Sequence, residues 1–166
     1  CRRYASLCRA VDADSTAVVP SVMFDTRNGS AWYMPGGQST LATIVRDAGG
    51  KYIFGDDEHS GSIPLSFESV FDRGQEADVW LIRYSSPYSL TLSQLRDTYA
   101  PYAKFKAFRE SNVYGCNNRD LLFYEETPFH PERLLHDFVK IFRPQALAQE
   151  QPTEELRYFQ PVPPGW

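Results

Sequence analysis

Apolar residues recur along this chain at two spacings, and the spacing changes often enough to divide it into short alternating elements. Tyr4, Leu7, Cys8 and Val11 recur at helical spacing, which predicts an amphipathic helix over Arg2–Val11. The stretch "TAVVPSVMF" (Thr16–Phe24) is β-branched and apolar at successive positions, the pattern of a strand covered on both faces, with Pro20 at its edge or start. After the loop "DTRNGSAWYMPGG", Leu41, Ile44, Val45 and Ala48 return to helical spacing. Ser39 is placed to cap this helix, and Gly49-Gly50 to end it in the left-handed conformation. "KYIF" reads as a second strand, "PLSFESVFDRG" as a short helix closed by Gly74, and "DVWLIRY" (Asp78–Tyr84) as a further buried strand.

Thr91 and Gln94 form a capping box ahead of Leu92, Leu95 and Tyr99, which predicts another helix. "NVYGC" (Asn112–Cys116) reads as a brief strand. A helix then starts at Pro131, sets Leu134, Leu135, Phe138, Ile141 and Phe142 on one side, and stops at Pro144. The ending "PVPPGW" has no periodicity and is expected to be a tail. Strands alternating with helices at these intervals predict an α/β three-layer sandwich around a mostly parallel central sheet.

The bulk figures exclude several alternatives. With 166 residues, 42% of them hydrophobic, the chain has the material for one domain core, so disorder is excluded. Lys and Arg number 17 against 21 Asp and Glu, a net charge of -4, so no basic face invites nucleic acid. No apolar run approaches the length of about 18 residues that a membrane-spanning helix needs. Cys1, Cys8 and Cys116 share no CxxC spacing, and their odd count argues against a disulfide framework.

In open α/β sheets, ligands gather beyond the carboxyl ends of the strands. That rule draws one rim from the loop at Asp25–Gly37, Arg83–Ser86 and Cys116–Arg119, carrying Arg27, Trp32, Tyr33, Arg83, Tyr84, Asn117, Asn118 and Arg119. Catalysis is a weaker reading: Cys116 can be drawn with His130 or His136, but no nucleophile elbow supports the arrangement. The cluster Asp56, Asp57, Glu58 and His59 reads as a solvated acidic turn, because consecutive loop residues rarely form a metal shell. His136 reads as a half-buried structural residue of its helix. A nucleotide-binding enzyme domain remains an alternative, weakened by the lack of GxGxxG or GxxxxGK[ST] after any strand. A protein-interaction domain using exposed aromatics is another.

The segments "WYMPGGQSTLATIVRDAGGKYIFGDD", "PLSFESVFDRGQEADVWLI", "KAFRESNVYGCNN" and "HPERLLHDFVKIFRPQ", in this order, resemble the C-terminal lobe of the class III periplasmic solute-binding proteins. These serve ABC importers of vitamin B12, haem and iron–siderophores. The resemblance spans roughly Tyr4 to Tyr158. It implies two α/β lobes joined by a long helix, with residues 1–14 as the end of that helix, 15–160 as the ligand-binding lobe and 161–166 as a tail. It further implies a missing N-terminal lobe, a location outside the cytoplasm with a lipid anchor, a metal-chelate ligand, no catalytic cofactor and an ABC permease as partner. Cys1 is then expected to mark a cut in a longer chain, since a lipidated cysteine would precede the missing lobe. Under the same resemblance Trp32 and Tyr33 form a wall of the ligand cleft, the alternative being that Trp32 packs back over the sheet edge. The pair Gly36-Gly37 lets the backbone approach the ligand, and Arg27, Arg83 and Arg119 attract its negative charge, with Arg83 the strongest candidate. Glu68, in the family's Ser-x-Glu position, is expected to dock into the permease, although a carboxylate there also complements the helix dipole.

Overall fold

The computed structural model describes residues 2–14, 18–148 and 154–166. Cys1 and the Thr16-Ala17 start of the first expected strand lie outside the described residues. The elements are α1 (Arg2–Ala13), β1 (Ser21–Phe24), β2 (Trp32–Pro35), α2 (Thr40–Asp47), β3 (Lys51–Tyr52), β4 (Ser62–Leu65), α3 (Phe67–Gly74), β5 (Val79–Tyr84), α4 (Leu92–Thr98), α5 (Lys106–Arg109), β6 (Val113–Asn117), α6 (Phe123–Glu126), α7 (Pro131–Phe142) and β7 (Gln160–Pro161). Single-turn 3₁₀ segments cover Ala100–Lys104 and Pro144–Leu147.

Among the described residues the central sheet has the order β3-β1-β5-β6-β7, parallel throughout except for β7. This is the expected α/β sandwich. The parallel strands are nearly continuous apolar runs because each alternate residue enters one of two cores. Phe24 points to the side of α2 and α7, where it meets Tyr52 at 5.6 Å and Phe138 at 6.3 Å between ring centres. Trp80 points the other way, into rings from Trp32, Tyr102 and Phe105 at 5.2 to 6.0 Å.

Local signals set the helix ends. Ser39 accepts the Ala42 amide at the start of α2, Gly49 takes φ +84° beyond its end, and the Thr91–Gln94 capping box is fully formed. The segment read as one helix from Pro64 divides instead: Ser62–Leu65 is strand, and the helix begins after its cap Ser66. β4 pairs antiparallel with β2, Trp32 opposite Leu65, so the "loop" holding Trp32 and Tyr33 is a two-stranded ribbon over the sheet.

The C-terminal segment is part of the fold rather than a tail. Asp137 on α7, fully buried, accepts the backbone N–H groups of Arg157, Tyr158 and Phe159 at 2.7 to 3.1 Å. Phe159 and Val162 then fill the core, and β7 pairs with β6. The carbonyls of Pro163 and Pro164 accept the Leu92 and Ser93 amides at 2.9 Å, satisfying the first turn of α4, and Arg96 lies over the Trp166 ring. A domain boundary at residue 160 is therefore corrected: 161–166 belongs to the lobe, because a helix start depends on it.

Two expected outcomes follow. Trp32→Ala lowers the unfolding free energy by about 3–5 kcal/mol, as for a large aromatic in a closed core, read from denaturant titration. The second concerns pH and the C-terminal segment. Glu126 receives Arg157 in a two-pronged pair at 2.9 and 3.0 Å and the Tyr158 hydroxyl at 2.7 Å, which together hold its pKa down at about 2. A depressed carboxylate stabilises the fold above its unfolded pKa and loses that contribution as pH falls through the folded value. Hydrogen-exchange protection factors at Tyr158–Val162, which divide out the slowing of intrinsic exchange in acid, should fall as pH drops from neutrality toward 2, and Glu126→Gln should flatten that response.

Candidate functional site

The rim is built where β1, β5 and β6 end. Register places Phe24 beside Leu81, and Tyr84 beside Asn117, so the loops leaving these strands start side by side. The residue after β1, Asp25, takes a left-handed φ of +59°, a region that carries a steric cost for a side chain other than glycine. Its carboxylate receives Arg83 through Nε at 3.2 Å, Nη2 at 2.5 Å and the backbone N–H at 3.0 Å. Its carbonyl accepts the Trp80 indole N–H at 2.8 Å, and its amide donates to the Leu81 carbonyl. Both side chains of the ion pair are over four-fifths covered. Burial alone would lower the Arg83 pKa, but the bonds and charge of Asp25 outweigh it and leave it raised.

Arg83 was expected to be the strongest anion ligand, and the structure corrects that: its guanidinium is committed to Asp25. Arg27 is in a different state. Its backbone N–H donates to the Tyr102 hydroxyl at 3.0 Å, and its guanidinium lies 3.8 Å over the Tyr99 ring. Its Nε is buried without a hydrogen-bond partner, and among the described residues no carboxylate pairs with it. A cation held flat on an aromatic face keeps its outer N–H donors for something else. Arg119 is exposed at the end of the β6 loop.

Trp32 is also corrected. It is completely buried, donates its indole N–H to the Phe24 carbonyl at 2.9 Å, and stacks on Phe67 at 6.3 Å, so no ligand can touch it. β2 alternates faces, and what it turns outward is Tyr33, about half exposed. Tyr84, Asn117 and Asn118 do lie together on the rim, but much of their polarity is spent inside it. The Tyr84 hydroxyl accepts the Leu90 amide at 3.0 Å. The Asn117 carboxamide holds both backbone groups of Ser86, the Arg119 amide and Asp120, which saturates it. The Asn118 amide donates to the Tyr84 carbonyl at 2.7 Å, and its Oδ1 accepts the Cys116 thiol. In this lobe the Asn117 carboxamide is spent on shaping the loops.

The glycine pair serves the fold too. A Cβ on Gly36 would lie 2.2 Å from the His59 carbonyl oxygen, and one on Gly37 2.3 Å from that of Asp57. The backbone that comes close is the chain's own 54–61 loop, which bonds to Gly36 and Gln38, and not a ligand or a phosphate. In the same loop Asp57 accepts from the Gly37 amide and the His59 ring, while Asp56 pairs with Arg73. Among the described residues no group of three or more His, Cys, Asp or Glu is arranged to hold a metal.

Nucleophilic chemistry at Cys116 is opposed by its surroundings. The thiol is fully buried and its pKa is pushed up to about 12, burial being the main cause. The two histidines point to other partners, His130 to Glu132 and His136 to Glu154. Glu68 sits exposed in the first turn of α3, after the Ser66 cap.

Sequence reasoning missed Asp25 and the apolar side chains that the rim loops expose. Tyr88, Leu122, Tyr124 and Phe129 are 57% to 81% exposed, and all belong to the connections that follow β5 and β6. The signal was present in "LLFYEETPF", where aromatic residues sit in a polar, proline-broken stretch that no helix or strand period claims.

Comparison with known proteins places this architecture. The chain is 26% identical over 148 residues to an uncharacterized lipoprotein of Methanocaldococcus jannaschii, covering 87% of this chain and 34% of that one. Its fold is similar to the TroA-like periplasmic binding protein FepB of Veillonella parvula, with a TM-score of 0.65 at 15% identity over 97% of this chain and 54% of that one. It is similar as well to an ABC-type Fe3+-hydroxamate transport protein of Saccharomonospora viridis (TM-score 0.63, 16% identity, 86% of this chain and 46% of that one). A third likeness is to the periplasmic heme-binding protein RhuT of Roseiflexus (TM-score 0.61, 17% identity, 87% and 53%). The chain thus spans about a third of the lipoprotein and about half of these solved chains. The profile of the family described as periplasmic binding protein matches residues 3–119, from the first helix through the last parallel strand and its rim loop, and the chain belongs to that family.

Proposed function

We propose that this chain is the ligand-binding lobe of an extracytoplasmic solute receptor for an ABC importer. It takes an iron chelate, haem or corrinoid against its rim, with a companion lobe on the amino-terminal side of α1 closing over the other face of the solute. The observation that carries this reading is the Arg27 guanidinium, stacked on Tyr99 and without a carboxylate partner among the described residues, at the border of a rim that exposes Tyr88, Leu122, Tyr124 and Phe129. A broad chelate with peripheral negative charge needs those two things: wide, rigid apolar contact and a fixed cation. Similarity to the Fe3+-hydroxamate and heme-binding proteins, and to the lipoprotein, supports the same class and a location outside the cytoplasm.

In this reading no bond is made or broken. Aromatic contact and charge pairing hold the solute, and closure of two rigid lobes about the α1 helix excludes water from it. The exposed Glu68 carboxylate, in the first turn of α3, docks to arginine on the permease, where a two-pronged pair orients a transient complex.

Calorimetry of the intact protein with haem, cobalamin and a panel of ferric siderophores tests the class. One of these should bind, and this lobe alone should bind it far more weakly, because it supplies half of the cleft; equal tight binding by both would remove the two-lobe account. Arg27→Gln should weaken the bound anionic chelate by about tenfold or more, the loss of one charge-assisted hydrogen bond. Glu68→Lys should stop uptake in a reconstituted transporter while solute capture persists; lost capture would refute its docking role.

A further inference from the structure

Three arginines border the rim, yet they are not equivalent in charge. Arg83 and Asp25 form a closed ion pair, two side-chain bonds and one backbone bond deep, with both side chains more than four-fifths covered. A solute approaching this part of the rim meets a neutral couple. Arg27, two residues beyond Asp25, carries no such partner among the described residues. One residue therefore does two things: it cancels the charge of Arg83, and from its left-handed backbone it launches the loop that sets Arg27 on Tyr99.

We propose that Asp25 is a specificity-determining residue of this rim, limiting the positive charge that a solute meets there and so limiting how much negative charge the preferred solute carries. The inference rests on the solute-binding reading above. The geometry supports the role in two ways. At a φ of +59° an aspartate carries a small backbone cost that glycine would not, and its carboxylate offsets that cost by bonding to Arg83. And the charge of the pair is separable from the turn, because Asp25 is also held through its carbonyl by the Trp80 indole and through its amide by the Leu81 carbonyl.

Asparagine separates charge from shape. It tolerates the left-handed region at least as well as aspartate and keeps a hydrogen-bonding oxygen, but it leaves Arg83 with its charge uncompensated. The experiment measures dissociation constants of the intact protein for two probes of similar bulk, a neutral ferric tris-hydroxamate and a triply negative ferric tris-catecholate, at low salt. Asp25→Asn should move the affinity ratio toward the catecholate by about tenfold, a shift that added salt reduces. Arg83→Gln, which leaves the carboxylate unmatched, should move the ratio toward the hydroxamate. The charge-balanced double variant D25N/R83Q should bring the ratio back toward that of the wild type. If D25N fails to fold, the opposite shift in R83Q still carries the test. A ratio that stays flat in all three variants overturns this inference alone, provided the wild type binds either probe. Wild-type protein that binds neither probe overturns this inference, and the solute-binding reading falls with it only when haem, cobalamin and the siderophore panel above also fail to bind.

Discussion

The Asp25–Arg83 ion pair is the constraint on which the rim depends. Three parallel strands end beside one another, and their loops must leave in different directions. Asp25 turns the first of them sharply by adopting a left-handed backbone, and that turn persists because Arg83, Trp80 and Leu81, all on the neighbouring strand, bind its carboxylate, carbonyl and amide. The strain is local and the restraint comes from the adjacent strand, so the rim inherits the rigidity of the sheet.

Around this junction the sequence's aromatic richness is divided between two cores. One side of the sheet seats Phe24, Tyr52, Phe138 and Phe159; the other seats Trp32, Trp80, Tyr102, Phe105 and Phe67. The second set is roofed by the β2–β4 ribbon, whose strands lie some thirty residues apart in the chain. That roof lets Trp32 vanish into the core while its neighbour Tyr33 stays at the surface. The C-terminal segment closes the opposite flank, tied to α7 by the buried Asp137 carboxylate and to α4 by two proline carbonyls.

What the sequence made legible was local. Ser39, the Thr91–Gln94 box, Gly49, Pro131 and Pro144 each act on neighbours within a few residues, and the helices begin and end where those residues require. The buried runs at Val79–Ile82 and Val113–Cys116 identified the parallel sheet, and with it which loops start side by side at the strands' carboxyl ends. What stayed illegible was pairing at a distance. Nothing near Trp32 reveals that Ser62–Leu65 will lie against it, nothing near Gly36-Gly37 reveals the 54–61 loop, and "PVPPGW" shows no period although its carbonyls complete a remote helix. The same holds for charge. Arg27 and Arg83 look alike as residues that follow apolar strands, and only the neighbouring strand's choice of partner makes one neutral and the other available.

The central claim is that a negatively charged chelate lies on this rim, against Arg27 and the exposed aromatics. A crystal structure of the intact protein with its tightest-binding ferric chelate or haem tests it most directly. The account predicts the solute over the ends of β1, β5 and β6, an anionic group bonded to the Arg27 guanidinium, and rings from Tyr88, Tyr124 or Phe129 against its flat surface, with Trp32 and the Asp25–Arg83 pair undisturbed. A solute seated away from those strand ends, or one held by Arg83 with the Asp25 pair broken and Arg27 untouched, would contradict it.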